Sequence, residues 1–288
     1  MEIKYNCSYP SIDDLSRKAK RKAPRFAFEY LDGGCNENIN LYKNTAALRK
    51  IELKPYYLKN YTSADLRTEL FGYIYDAPFG IAPVGLQGLM WPNVSEILAR
   101  AAFQYNIPFI LSTVTTSSIE RVSGLTEGKS WFQLYYPAEA AIRNNVIQRV
   151  ADAIYPVLVL LCDVPSFGFR PREIRNGLAM PPRMTLVSNH GGRQLDAGQS
   201  SIQSMFLIVE KYKNKLTIMM DSGIRSGLDV ARVLASGADF TFMGRSFMYG
   251  VAALGNEGDN HTISILKTQL KQVMKQLCCA GVKTCLLI

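Results

Sequence analysis

Short apolar runs alternate with helical patterns from about residue 78 onward. Most of these runs are continuously apolar, which is typical of strands that are buried on both faces of a parallel sheet. Seven strands are predicted in this way: 79–84, 108–113, 131–135, 156–162, 184–188, 216–220 and 240–243. Residues 1–77 are predicted to form N-terminal helices and a lead-in to the barrel.

Helical patterns lie between most of the predicted strands: 94–105, 118–123, 138–153, 201–213, 227–236, 246–254 and 262–279. Asn93 and Ser117 each precede a glutamate by three residues, which predicts a capping oxygen at two of the helix starts. Strands alternating with helices predict an α/β fold, a TIM (β/α)8-type barrel with its active site at the C-terminal ends of the strands. With seven recognisable strands, the predicted barrel is incomplete.

One interval, 163–183, breaks the alternation. Its Pro and Gly residues leave no room for an amphipathic crossover helix: Pro165, Gly168, Pro171, Gly177, Pro181 and Pro182. A βαβ unit takes about 30 residues or more. Either this connection is an unusual loop, or a strand and its helices are absent.

The length and composition predict one soluble domain spanning 1–288, with the barrel at 78–256 and a C-terminal helix in 257–288. With 288 residues and 48% hydrophobic content, the chain can bury one large core. No run approaches the roughly 18 apolar residues of a membrane span, and the N-terminus lacks the apolar centre of a signal peptide. These features favour a cytoplasmic protein.

Charge and cysteine content leave some alternatives open. The formal charge is +9, and the basic run at 17–22 either contacts nucleic acid or forms a solvated helix face, which needs fewer assumptions. The six cysteines have no spacing typical of a metal site, so we expect no metal and reduced thiols. The last four residues, CLLI, fit a prenylation box, although an apolar tail is the simpler interpretation.

The segment with the most specific chemistry is SNHGGRQLD at 188–196, which follows a predicted strand. His190 can accept a proton near neutral pH, and Gly191 and Gly192 let a ligand approach the backbone. Arg193 offers a planar fork for a carboxylate. A ligand site is therefore predicted at this strand end.

This nonapeptide resembles the signature of the FMN-dependent α-hydroxy-acid oxidases and dehydrogenases, the family of glycolate oxidase and of L-lactate and mandelate dehydrogenases. Further blocks resemble the family in its own order: FAFEYLDGG (26–34), PFGIAP (78–83), LSTVTTSSIE (111–120), WFQLYY (131–136), RNGLAMPP (175–182), DSGIRSGLDV (221–230) and MGRSFMYG (243–250). Together they cover nearly the whole chain.

The resemblance implies oxidation of an L-2-hydroxy acid to a 2-oxo acid, with FMN as the cofactor. His190 is implied as the general base, and Asp163 as the carboxylate that stabilises its imidazolium. Two guanidinium groups for the substrate carboxylate and two phenols complete the implied substrate site: Arg170, Arg193, Tyr30 and Tyr135. The electron acceptor, oxygen or a quinone, stays open, and family likeness implies a homo-oligomer such as a tetramer.

The flavin contacts implied by the resemblance fall into two groups. Those at the ring are Ala82, Pro83, Val84, Ser112 and Gln133. The others follow the last two strands, where barrel enzymes hold phosphate with backbone N–H groups and an arginine: Asp221, Ser222, Gly223, Ile224, Arg225, Gly244 and Arg245.

The sequence departs from the family in the interval that already looked too short. Relatives carry a long loop, helices and a strand ending in a lysine between PP and SNHG, whereas PPRMTL here runs directly into VSNHGG. Leu161 also stands where the family usually has a hydroxyl residue facing the flavin. We therefore expect imperfect barrel closure and weakened FMN binding or reactivity. A gene-model or splicing artefact would produce the same pattern.

Two other functions compete with an active oxidoreductase. One is a flavin-binding or flavin-free remnant without turnover, which the missing unit favours and the retained site residues oppose. The other is a basic protein that binds nucleic acid or a partner, but the sequence lacks the interleaved aromatic and basic residues of single-strand binders. We expect no nucleic-acid partner.

Overall fold

The computed structural model describes residues 6–57, 61, 63–161, 169–177 and 189–282. The helices in this part of the chain are α1 (Ile12–Lys22), α2 (Arg25–Asp32), α3 (Ile39–Arg49), α4 (Val94–Gln104), α5 (Ile119–Thr126), α6 (Ala140–Asp152), α7 (Pro171–Arg175), α8 (Ser201–Tyr212), α9 (Gly227–Ala235), α10 (Arg245–Leu254) and α11 (Gly258–Gln276). The strands are β1 (Thr68–Leu70), β2 (Tyr73–Tyr75), β3 (Phe79–Ile81), β4 (Ile110–Ser112), β5 (Trp131–Leu134), β6 (Leu158–Leu160), β7 (Met219–Met220) and β8 (Phe240–Met243).

Six parallel strands form the wall of the barrel. They pair as two sheets, β3-β8-β7 and β4-β5-β6, and a parallel bridge between Ile81 and Phe109 joins the two. The order along the wall is therefore β7-β8-β3-β4-β5-β6. Because the strands are parallel, the loops after them all lie at one rim, which is where barrel enzymes place their active sites.

Side chains of the wall alternate between the barrel interior and the surrounding helices, as the period of a strand requires. The interior cluster contains Ala82, Ile110, Trp131, Phe240 and Phe242, with Leu70 and Tyr75 of the β1–β2 hairpin. The outward residues join the helices in the main core, among them Phe79, Ile81, Phe109, Leu111 and Phe132. The hairpin also contacts this cluster through Phe71, whose ring centroid lies 5.6 Å from that of Trp131.

The strands and helices agree with the sequence prediction in kind and differ at their ends. Six of the seven predicted strands are present, five of them in shorter form and 240–243 with the predicted bounds, and the seventh, 184–188, lies outside the described residues. The β1–β2 hairpin was not predicted. α7 is a helix of five residues that begins with Pro171 at its first position, within the interval that was predicted to hold no crossover helix.

Two capping predictions and one about cysteine were wrong. Asn93 takes a left-handed conformation and makes no side-chain cap, and Ser118 rather than Ser117 accepts the hydrogen bond from the Arg121 N–H. Cys279 takes part in a disulfide, whereas it was expected to be reduced. The single-domain organisation over 1–288 stays a prediction.

β6 and β7 are the terminal strands of the described wall, since each pairs with only one other described strand. Leu158 and Leu160 of β6 are 47% and 51% exposed, and Met219 of β7 is 38% exposed. The interval predicted to be too short follows β6 directly. No helix in the described ranges is long and apolar enough to cross a membrane.

Candidate active site

A cavity of about 840 Å³, including its open mouth, lies at the rim where the strands end. Fifteen of the predicted site residues line it: Tyr30, Ala82, Pro83, Val84, Gln133, Tyr135, His190, Arg193, Asp221, Ser222, Gly223, Ile224, Arg225, Gly244 and Arg245. The structure thus brings together residues that are up to 215 positions apart in the chain.

Two of the described predicted residues, Ser112 and Arg170, do not line the cavity. Ser112 is buried behind Gln133 and donates to its Oε1 at 3.0 Å. Arg170 is buried beside Arg193, one layer behind the lining. Asp163 lies outside the described residues.

His190 faces the cavity from a left-handed backbone position, with φ of 53°. Burial lowers the pKa of its imidazole to about 3, and the positive charges of Arg193 and Arg170 add to that shift. The ring is therefore neutral at physiological pH, the form that can accept a proton. Gly191 and Gly192, also at positive φ, carry the chain onward into Arg193.

Arg193 is held on several sides. Its Nη1 donates to the carbonyl oxygens of Tyr30 and Gly33, and its guanidinium lies 4.7 Å from the centre of the Tyr30 ring. Nη2 forms an ion pair with Glu173 at 2.5 Å, and Arg170 Nη1 contacts the same carboxylate at 3.4 Å. Glu173 of α7 therefore lies between the two arginines that were predicted to bind a carboxylate.

The loop after β7 is shaped by close packing against α3. Ser222 and Gly223 both have positive φ, and a Cβ at Gly223 would lie 2.8 Å from the Asn44 carbonyl carbon. The Ser222 hydroxyl accepts from the Gly191 N–H at 3.1 Å. This contact ties the loop to the SNHGG segment, so that both border one cavity.

Arg245 lines the cavity, and its three nitrogens donate to main-chain carbonyls of Leu31, Gly191 and Gly33. Burial lowers the pKa of this guanidinium to about 9. Arg245 thus joins α2 to the glycine-rich segment. Any role in phosphate binding would add to this structural one.

Gln133 provides a test of whether the cavity fits a flavin. Its Oε1 is satisfied by Ser112, whereas its Nε2 is buried without a hydrogen-bond partner among the described residues. A buried donor at a cavity wall is costly unless a ligand accepts from it, and the carbonyl and ring-nitrogen edge of an isoalloxazine offers such acceptors. Gly244 also lines the cavity and packs closely against Val84, since a Cβ there would lie 2.9 Å from Val84 Cγ2. The residues present therefore fit FMN.

Two buried acids were not recognised as part of the site from sequence. Glu173 follows Arg170 by three residues at the start of a helix, a spacing that could have revealed it. Asp196 ends the SNHGGRQLD segment and accepts from the N–H groups of Glu37 and Asn40, at the start of α3. The segment therefore both supplies site residues and caps the helix behind them.

Comparison with known proteins supports these observations. The sequence model described as FMN-dependent dehydrogenase matches residues 19–187 and 184–286. The chain belongs to this family. The predicted family, the FMN cofactor and the class of reaction, a flavin-dependent oxidation, are thereby confirmed.

Individual relatives are similar over nearly their whole length. An L-lactate dehydrogenase of Ectopseudomonas mendocina (strain ymp) is 30% identical, over 91% of this chain and 93% of its own. Human 2-hydroxyacid oxidase 2 is 29% identical, over 94% of this chain and 95% of its own. A mandelate oxidase structure superposes with a TM-score of 0.90 at 29% identity, covering 96% of this chain and 97% of that one. The TIM-barrel fold class is confirmed by this structural likeness.

The comparisons also locate the shortened segment. The two family matches meet at 184–187, in the interval between β6 and α8. The alignment with the L-lactate dehydrogenase spans 352 positions, although this chain has 288 residues. The relatives therefore carry residues at this point that the chain lacks.

Proposed function

We propose that this chain oxidises an L-2-hydroxy acid to the corresponding 2-oxo acid. The observation that carries the proposal is one cavity lined by His190, Arg193, Tyr30 and Tyr135. The relatives named above are an L-lactate dehydrogenase, a 2-hydroxyacid oxidase and a mandelate oxidase. Lactate, glycolate and mandelate are therefore the substrates to test first.

Different residues of the site bind the substrate and transfer its proton. Arg193 binds the substrate carboxylate with Arg170 close behind it, and the phenols of Tyr30 and Tyr135 hydrogen-bond the substrate. His190, neutral at working pH, accepts a proton from the bound substrate at its ring nitrogen. Positioning all these groups around one substrate removes much of the entropic cost of the reaction.

The remaining cavity residues would hold the cofactor. Gln133 would donate to the ring, which would lie along the backbone of 82–84. Asp221 to Arg225, with Gly244 and Arg245, would hold the ribityl phosphate through N–H groups and guanidinium charge. FMN supplies the two-electron acceptor that this reaction needs. Asp163 would stabilise the imidazolium of His190.

A second candidate function is a flavin-binding protein with impaired turnover. Two sequence features favour it: no lysine occurs between 182 and 190, and Leu161 lines the cavity where a hydroxyl is usual in the family. A cation near a reduced flavin stabilises its negative charge, so its loss would slow reduction. Binding could persist without it.

The deciding experiment is anaerobic titration of the purified, FMN-loaded protein with L-lactate, glycolate and L-mandelate while its visible spectrum is recorded. We expect one of the three substrates to bleach the flavin absorbance. The substitution His190→Gln is expected to abolish this bleaching without releasing the flavin. A spectrum that stays oxidised with all three supports the impaired form. Failure to retain any FMN would refute both functions.

We propose three further properties of the protein. The acceptor that reoxidises the flavin is oxygen or a quinone, which stopped-flow mixing of reduced protein with each would distinguish. We propose a homo-oligomer located in the cytoplasm. One relative in the structural comparison is a soluble mutant of a membrane-associated (S)-mandelate dehydrogenase from Pseudomonas putida, so fractionation of cells is the test of location.

A further inference from the structure

We propose that Glu173 is a positioning residue that holds Arg170 and Arg193 together and leaves this group with a single net positive charge. The inference rests on the proposed function for its ligand, a 2-hydroxy acid. Its consequence is charge selectivity: the site favours a monocarboxylate over a dianion more strongly than two unpaired arginines would.

The geometry of the three side chains is the first argument. Glu173 is 2% exposed and lies between two arginines that are themselves buried. Its Oε1 accepts from Arg193 Nη2 at 2.5 Å, and both of its oxygens contact Arg170 Nη1 at 3.4 Å. One carboxylate therefore serves two guanidinium groups.

The electrostatics explain why an anion is needed there. Burial and the nearby charge of Arg193 lower the pKa of the Arg170 guanidinium, and Glu173 opposes this shift. Two buried like charges without a counterion are costly, because each must be desolvated while repelling the other. Glu173 offsets part of that cost, and the three side chains together carry one net positive charge.

The positions of the three side chains relative to the cavity show which of them meets a ligand. Arg193 lines the cavity, whereas Glu173 and Arg170 do not. Arg193 therefore separates the Glu173 carboxylate from any ligand. Glu173 orients the arginine from behind and does not compete with the substrate for the cavity.

Helix α7 keeps the carboxylate in place. Asn176, just beyond the helix, donates to Glu29 of α2 at 2.6 Å, and Arg172 pairs with Asp32 at 3.2 Å. These contacts fix α7 against α2 without touching Arg170 or Arg193. Glu29 therefore offers a matched control, since Glu29→Gln removes a carboxylate from the same helix contact and leaves the arginines paired.

The first test is a double-mutant cycle on the full chain. Urea unfolding of each variant is monitored by circular dichroism. Glu173→Gln is expected to lower the unfolding midpoint clearly more than Glu29→Gln. Adding Arg193→Gln to Glu173→Gln is expected to recover part of that loss, because the uncompensated charge is removed. Additive effects of the two substitutions would overturn the pairing.

The second test measures ligand charge. Calorimetric titrations of the FMN-loaded protein would use pyruvate, with one charge, and oxalate, with two. Glu173→Gln is expected to raise the affinity for oxalate relative to pyruvate by about tenfold, because removing a nearby negative charge benefits a dianion twice as much. Glu173→Asp should restore most of the wild-type ratio, and Glu29→Gln should not alter it.

The outcomes separate this inference from the proposed function. A ratio unchanged in Glu173→Gln would overturn the charge selectivity. If the wild type binds neither anion while the cycle shows coupling, the proposed function fails and the pairing of the arginines by Glu173 stands.

Discussion

The imidazole of His190 has different pKa values in the folded and the unfolded chain, and the difference is measurable without any substrate. It is neutral in the folded protein down to a pKa of about 3, because of burial and the charges of Arg193 and Arg170. In the unfolded chain the same ring titrates near its ordinary value of about 6.5. The unfolded state therefore binds more protons between these values, and stability falls as pH drops from about 6.5 toward 3.

We predict that His190→Asn removes this acid sensitivity. At pH 5 the wild type should lose about 1–2 kcal/mol of unfolding free energy, relative to pH 7.5, that the variant keeps. Urea melts of both proteins at the two pH values give this difference, and other titrating groups cancel. An equal loss in both proteins would show that the imidazole is not held neutral.

At the scale of single residues, motifs and side-chain chemistry predicted which residues form the site. They did not predict which residues hold those side chains in place. His190, Arg193 and Tyr30 do face one cavity. The roles of Glu173 and Asp196 depend on which helix docks behind each of them, and Asp196 contacts residues more than 150 positions away. Pattern and spacing carry no information about such distant contacts.

At the scale of elements, apolar runs predicted which segments form strands and overestimated their lengths. Phe240–Met243 is the single strand whose bounds match, and it lies between two paired neighbours in the described wall. β6 shortens to three residues at the end of the wall, and β3 and β4 shorten to three residues inside it. Local sequence gives the strand tendency, whereas the number of paired residues depends on neighbours.

The end position of β6 predicts an unequal cost of truncating two leucines. Leu111 of β4 is fully buried in the core, and Leu160 of β6 is 51% exposed, although both are strand leucines. Leu111→Ala should cost about 2–5 kcal/mol of unfolding free energy, and Leu160→Ala about 1 kcal/mol or less. Urea unfolding measures both. Equal costs would mean that another surface covers Leu160 in solution.

Helix α11 contains a buried acid whose titration affects folding. Asp259 is fully buried near the start of the helix, and neither carboxylate oxygen has a hydrogen-bond partner in the described part of the chain. Burial raises the pKa of this carboxyl well above its usual value. The folded state therefore holds a proton that the unfolded state releases above about pH 3.8, and stability is lost as pH rises from there to the folded pKa.

Asp259→Asn should remove that loss. We expect the variant to gain unfolding free energy relative to the wild type as the pH is raised from 3.5 to 7, while the pH-independent cost of a buried amide stays constant. Thermal or urea melts across this range measure the gain. A wild type and a variant that change in parallel would indicate that the Asp259 carboxylate ionises normally in the fold.

At the scale of the whole molecule, apolar side chains are exposed on β6, a terminal strand of the described wall, and on α8, the helix before the other terminal strand. Leu158 and Leu160 are exposed on β6, and Phe206, Leu207 and Ile208 are exposed on α8, the helix before β7. The relatives carry additional residues in the interval between β6 and α8. Sequence alone predicted the short interval but not which faces it would leave exposed, because exposure depends on the packing of every helix.

This exposure predicts that the native protein binds the dye ANS, which fluoresces on apolar surface. The expected reason is that exposed apolar residues adjoin one another, Leu158 and Leu160 on one face of β6 and Phe206 to Ile208 in sequence on α8, whereas isolated exposed apolar residues are ordinary on soluble proteins. Replacing both Leu158 and Leu160 with Ser should lower the fluorescence at pH 7 while far-UV circular dichroism is unchanged. Ile39→Ser removes an equally exposed residue of α3, 54% exposed, and should have little effect. Absence of dye binding by the wild type would show that this face is covered in solution, and equal losses in the two variants would show that the patch is not on β6.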